Sequence, residues 1–300
     1  MSGMVDDAAG IDPALGFVPR ERDLAREELR HELMRCKTFV AGVAIVAFWL
    51  VATLAGTVIR PRAEFADTGQ LLHPPSLEHW FGTDALSRDV FYRVLFGGTD
   101  TLTVAPLATL IGLSLGSVIG IVAGYYAGST FDDVVGRLID AVLALPLLVL
   151  AVLIIAATGD VSKMSQALVI GLAFVPAIAR TIRAAVLGER ELEYVQAAQL
   201  QGERAGYTMV FEILPNVTGT IVVEGTVRLG YAIFAGASLR FLGFGPEPPS
   251  PDWALQIREN YPILLSGTYW WTVLFAAFAI STLVVGVNLI ADGLQQVLDA

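Results

Sequence analysis

The chain has 300 residues, of which 55% are hydrophobic and 16% charged, against about 25% charged in an ordinary soluble domain. A mean hydropathy of +0.63 means more apolar surface than one soluble core buries, so a bilayer is the first solvent to consider. A formal net charge of −10 and a pI near 4.8 argue against nucleic acid as a partner, because phosphate binding needs clustered Lys and Arg.

In chain order, residues 1–38 are polar and hold Asp6, Asp7, Asp12, Glu21, Asp23, Glu27, Glu28 and Glu32. They read as a solvated cytoplasmic tail without a signal peptide, so the first membrane helix is expected to act as the targeting signal. Cys36 is the single cysteine and suggests no disulfide or metal site. His31, His73 and His79 lack metal-ligand spacing.

Residues 39–59 carry no charge and, as a helix, cover about 31 Å, one hydrocarbon thickness. Residues 60–100 form a long connection that mixes turn residues with an amphipathic stretch in HPPSLEHWFGTDALSRDVFYRVLFGG. A second uncharged stretch, 101–131, is rich in Gly and Ala. A third, about 138–158, has Asp140 near its start and Pro146 inside. A fourth, about 165–187, is interrupted by Pro176, Arg180 and Arg183. A fifth, about 216–240, carries Glu224 and Arg228, and a sixth runs from about 268 to 291. All are too long for strands, and a backbone in lipid must pair its own polar groups. The expected fold is an all-α integral membrane protein with six transmembrane helices: a tail at 1–38, a first helix at 39–59, an external loop at 60–100, and a transmembrane domain at 101–300.

Basic residues orient it. Eleven, including Arg35, Lys37, Arg137, Arg180, Arg183, Arg190 and Arg204, fall on one side of a six-span layout, and seven, including Arg88, Arg93, Lys163, Arg240 and Arg258, on the other. This predicts both termini in the cytoplasm. Trp270 and Trp271 open the sixth helix and Tyr125 and Tyr126 lie toward the end of the second, as expected of interfacial aromatics.

The connection at 188–215 contains ELEYVQAAQLQGERAGYTMVFEILPN. Glu193 to Gln201 are good helix formers, Gly202 ends or bends that helix, and a second stretch runs to Leu214–Pro215, which is expected to stop it. The prediction is a cytoplasmic helix–turn–helix.

This loop resembles the EAA loop of ABC-type importer permeases. Gln196-Ala197-Ala198, Gly202 and Glu212-Ile213-Leu214-Pro215 stand at its spacing. Gln196 replaces the glutamate, and Glu212 stands where isoleucine is usual. Three further segments resemble the C-type permease subunit of dipeptide, oligopeptide and nickel importers. They are Gly82–Val90 (GTDALSRDV, with Ser87 in place of a usual glycine), FLGFG at 241–245 with the proline-rich segment to Trp253, and NLIADGL at 288–294. Gly236 and Arg240 depart from the usual residues before FLG.

The resemblance implies a permease subunit in a prokaryotic cell membrane. Its partners would be a second homologous permease, two ATPase subunits and an external solute-binding protein. ATP and Mg²⁺ would sit on the ATPase subunits, with no cofactor or metal on this chain and no catalytic residue. Glu193, Gln196, Ala197, Ala198, Gly202, Glu212, Leu214 and Pro215 would couple it to ATPase. Independently, neither Lys37 after Cys36 nor Lys163 after Ser162 fits a Walker A loop. Residues 246–260 are too proline-rich for one continuous helix and would form an outer cap, with Pro249, Asp252 and Trp253 toward the solute-binding protein and Trp253 anchored by burial.

Glu224 and Arg228 are four residues apart and share a helix face. A charge at membrane depth costs about 2.5–3.5 kcal/mol on insertion scales, so they read either as an ion bridge or as the lining of the pathway. The motifs leave peptide, nickel and oligosaccharide open as solutes. An ATPase-independent channel would have no need of the docking loop. An intramembrane enzyme finds no support, since no span holds a histidine.

Overall fold

The computed structural model describes residues 31–59 and 66–298. The acidic positions from Asp6 to Glu28 lie outside them, as do Arg60 and Arg62. Among the described residues the chain is helical, with only isolated β-bridges at Asp67–Arg88 and Thr83–Asp89. The helices are α1 (Lys37–Ile59), α2 (Val90–Phe96), α3 (Gly98–Tyr125), α4 (Thr130–Leu143), α5 (Leu147–Thr158), α6 (Lys163–Arg190), α7 (Glu193–Leu200), α8 (Leu214–Phe241), α9 (Trp253–Leu264) and α10 (Trp271–Leu298).

Five segments are long and apolar enough to cross a membrane, and six if α4 and α5 count as one span bent by 85°. The third stretch is therefore not the single helix that its composition suggests. Pro146 lacks an N–H and disfavours helical angles at the residue before it, and it begins α5 from an extended conformation. The second stretch ends at Tyr125 rather than 131. Gly128 takes a positive φ of 82°, and the Ser129 side chain caps α4 by accepting from the Asp132 N–H at 3.3 Å.

Leu214–Pro215 does not stop the helix that precedes it. One turn at Ala205–Tyr207 and a π-helical turn at Thr208–Ile213 lead directly into α8. The Leu214 N–H reaches back to the Met209 carbonyl, a five-residue step that widens the helix just ahead of the proline.

The largest helix pairing is α3 with α6. Gly112, Gly116, Gly120 and Gly124 recur every four residues and so share one face of α3. Opposite them lie Gly171, Phe174, Ile178, Ala179, Ile182 and Val186 of α6. A Cβ on Gly116 would stand 2.7 Å from the Ile178 Cβ, and one on Gly120 2.7 Å from the Ala179 carbonyl oxygen. The backbones therefore touch. A second close seam joins α1 to α10, where Gly42 meets the Gly286 carbonyl and Trp49 Nε1 donates to Thr282 Oγ1 at 2.9 Å.

Gly116→Leu is expected to lower the stability of the detergent-solubilised protein by about 1–3 kcal/mol, the usual cost of overpacking. Gly136→Leu, at a position with open space around it, is expected to leave the thermal midpoint unchanged. Equal midpoints for the two variants would show that the α3–α6 seam is not tight.

Candidate functional site

At one end of the bundle, α7 lies across the junction of α6 and α8. Val195 and Ala198 point into the chain, while Gln196, Ala197 and Gln199 face out. Gly202 has φ +81°, and a Cβ added there would meet nothing within 4 Å. Its N–H donates to the Gln199 carbonyl at 3.1 Å, and the Glu203 N–H donates to the Ala198 carbonyl at 3.1 Å. This is the Schellman ending of a helix, which needs the left-handed residue that glycine supplies. Gly202 is thus required for its backbone angle and not for close packing within this chain.

Just before the turn, Leu200 is 89% exposed. Tyr207, Val210 and Phe211 are exposed as well, with the Tyr207 and Phe211 rings 4.9 Å apart. Glu193 and Pro215 are exposed, and Glu212 and Leu214 are half-buried.

Two residues not singled out by the motifs tie this loop down. Tyr194 Oη donates to Glu189 Oε2 at 2.5 Å and accepts from Asn216 Nδ2 at 2.9 Å. It thereby joins the end of α6 to the start of α8. Burial, with the adjacent Glu189 carboxylate, pushes the Tyr194 hydroxyl up to about 12, so it stays a proton donor at ordinary pH. The signal available was a tyrosine in the inward phase of α7 beside Val195.

Within the membrane-spanning region, Arg228 Nη2 lies 2.6 Å from Glu224 Oε1, and its Nε donates to the same oxygen at 2.7 Å. The guanidinium is 5.8 Å from the Phe174 ring centre and 5.6 Å from that of Tyr231. It borders a cavity of about 500 Å³ beside the α4–α5 bend, where Leu145, Pro146, Phe174, Tyr231 and Phe234 supply apolar walls.

The opposite end is closed by buried charge. Asp84 accepts from the Leu86 and Arg88 backbone N–H groups and from both Arg88 Nε, at 2.8 Å, and Arg93 Nη1, at 2.9 Å. Both arginines also donate to Glu259 of α9, at 2.9 and 3.1 Å. Asp89 caps α2 through the Phe91 N–H and holds His79 Nδ1 at 2.8 Å. Ser87 takes φ +56°, which accounts for the glycine usual at that place in the family resembled. Arg240 Nε stands 3.1 Å from Asp252 Oδ2, and its Nη2 donates to Thr101.

Asp252 and Trp253 are both buried, Trp253 as expected of the residue that anchors this segment and Asp252 against the expectation of an outward side chain. They are 1% and 0% exposed. Asp252 turns in to cap α9 and pair with Arg240, and Trp253 Nε1 donates to the Val94 carbonyl at 2.6 Å. Only Pro249 of that trio is exposed, next to Glu247 and Pro248. Trp271 turns inward as well, unlike the exposed Trp270. Trp271 is buried, and its indole N–H donates to the Thr83 carbonyl at 3.1 Å.

A bundle of apolar helices with a capped polar loop at one end and buried ion pairs at the other is a multi-pass membrane protein. The chain belongs to the family of binding-protein-dependent transport system inner membrane components, which matches it over residues 116–300. It is 36% identical over 269 residues to the dipeptide transport system permease protein DppC of Alkalihalophilus pseudofirmus, covering 89% of this chain and 87% of that one. It is similar to DppC of Bacillus subtilis, at 36% over 270 residues, with 89% and 83% covered. It is also similar to the glutathione transport system permease protein GsiD of Pectobacterium atrosepticum, at 33% over 281 residues, with 93% and 90% covered. The resemblance carried by GTDALSRDV, FLGFG and NLIADGL therefore holds, and the chain is an ABC importer permease.

Asp84→Ala strands Arg93, which is 1% exposed, without its nearest carboxylate. Breaking one side of a buried pair costs about 3–5 kcal/mol, so the yield of folded, membrane-extracted protein is expected to fall sharply. The exposed Glu78→Ala is the control and should match the parent.

Proposed function

We propose that this permease forms half of a translocation pathway for peptides, with a second homologous permease supplying the other half. The observation that carries the solute class is the set of relatives named for dipeptide and glutathione transport, similar over most of their length. In this reading the chain crosses the cell membrane of a prokaryote six times, with α4 and α5 as one bent span. Both termini and the 188–215 loop face the cytoplasm. The arginines near that loop, Arg180, Arg183, Arg190 and Arg204, support this orientation.

The loop is the docking element for two ATPase subunits, which bind ATP and Mg²⁺; this chain binds no cofactor and hydrolyses nothing. What supports it is the Gly202 turn, which presents Leu200 and the Tyr207–Phe211 pair outward. Exposed apolar side chains in an otherwise polar connection fit a partner's groove. The closing of the ATPase subunits shifts the transporter between two states that bind them differently. On the far side a solute-binding protein meets the cap through Pro249 and its neighbours Glu247 and Pro248.

The Gly202 reading predicts that Gly202→Trp inserts in the membrane but loses solute uptake, because a bulky group would stand in the partner's site. Asn tolerates left-handed angles better than other side chains, so Gly202→Asn should keep more uptake than Gly202→Trp. Full uptake by the tryptophan variant in a vesicle assay would sink the docking model.

The Glu224–Arg228 pair is proposed to brace α8. Removing one partner leaves a charge uncompensated, so Glu224→Gln or Arg228→Gln should lower the assembled complex, and the double variant should restore it. Normal assembly of all three variants with impaired uptake would instead make the pair a lining of the pathway.

A further inference from the structure

The connection between α1 and α2 carries two strongly exposed apolar side chains. Leu77 is 96% exposed and Trp80 63%. They sit on a turn closed by hydrogen bonds from the Ser76 and Gly82 N–H groups to the His79 carbonyl, at 2.8 and 2.9 Å. The turn is braced from behind, since His79 Nδ1 is held by Asp89 at 2.8 Å.

A continuous row of rings joins this turn to α10. Trp80 meets Phe91 edge-on at 5.0 Å, Phe91 meets Phe81 at 5.1 Å, and Phe81 stacks on Phe275 at 3.9 Å. Phe275 in turn lies 6.0 Å from Trp270, which is 45% exposed.

α10 fixes the depth of that row. Its residues are uncharged from Trp271 to Ala291, and Asp292 follows. A hydrocarbon layer of about 30 Å takes about 20 helical residues. Counting back from Asp292 puts the far edge of the layer near Thr272. Phe275 lies within one turn of that edge, and Phe81, stacked on it, lies at the same level. Trp80 is the next residue in the chain. Aromatic rings with a polar tip concentrate at this level of a bilayer, and Glu78 and His79 between the two apolar residues keep the turn from going deeper.

We propose that the Leu77–Trp80 turn inserts into the headgroup boundary of the membrane and anchors the external cap to lipid. Lipid fits better than the solute-binding protein, because a surface at the hydrocarbon edge lies beside the membrane and not above it, where a soluble protein lands. Because Asp84, Arg88 and Asp89 follow within one short segment, the anchor would hold the whole buried ion network at a set height.

The test uses the complete complex in vesicles of phosphatidylethanolamine and phosphatidylglycerol. In a Cys36→Ser background, a nitroxide is attached at Leu77→Cys and, for comparison, at Glu247→Cys, an exposed position on the proline-rich cap. Power saturation with oxygen and with a water-soluble nickel chelate should give an oxygen-to-nickel accessibility ratio several-fold higher at position 77. Equal ratios at the two positions would put the turn in water and overturn the proposal. Poor access to both reagents at position 77 would mean cover by the second permease. A ratio matching position 247, with immobilisation on adding the solute-binding protein, would mean a protein contact. Either result also overturns it.

Discussion

Lipid tails are as apolar as leucine, so apolar helices gain little from merely meeting each other in a bilayer. What remains is dispersion, which falls off steeply with distance, and hence the approach of one backbone to another. In this chain that approach is made by α3 and α6, where four glycines spaced by four let the Ile178, Ile182 and Val186 side chains rest on bare backbone. The other parts take their places from this pair. The N-terminal end of α3 carries α2 and its ion network, and the C-terminal end of α6 carries α7. α8 packs against both α3 and α6.

The end of the bundle that holds the buried charges follows a different logic. Asp84, Arg88, Arg93, Arg240 and Asp252 are all less than a tenth exposed, a costly state for ions unless each is paired. The network joins segments far apart in sequence, 84–93 to 259 and 240 to 101. Trp253 seals it beneath the backbone of Gly97 and Gly98. Two of the four segments that carry the family resemblance, 82–90 and 241–253, are therefore pieces of one folded cap, and their residue types answer to that cap's geometry: a carboxylate with four incoming donors at 84, and backbone that must turn with positive φ at 82, 87 and 243.

The apolar spans were legible because length and absence of charge report them directly. So was the loop, because Gly202 stands where a helix must end in a left-handed residue. Proline was harder to read. Pro106 and Pro176 stand inside unbroken helices, whereas Pro146 breaks one. The difference is tertiary: Pro106 and Pro176 lie on the two helices of the tight seam, where neighbours offset the lost hydrogen bond, while Ala144, Leu145 and Pro146 are exposed. The burial of Trp253 was legible, but its partner, the Val94 carbonyl, is distant in sequence, and nothing in the proline-rich loop foretold that Asp252 would turn in to Arg240. The four-residue glycine spacing was present in the sequence, but its meaning depends on which helix lies opposite.

The segment from Ala205 to Phe241 forms 37 residues of nearly continuous helix, about 55 Å long and well beyond one hydrocarbon thickness. Such a shaft cannot shorten; it can only tilt or turn about its axis. Any twist applied near Tyr207 must arrive, in phase, at Glu224 and Arg228 halfway along and at Arg240 near its far end. The shaft's one departure from α geometry is the π-helical turn at Thr208–Ile213, whose wider coil has one residue to spare. Slack taken up there would be torque lost to the far end, so in the proposed coupling the stiffness of six residues would set how faithfully one side of the protein knows the state of the other.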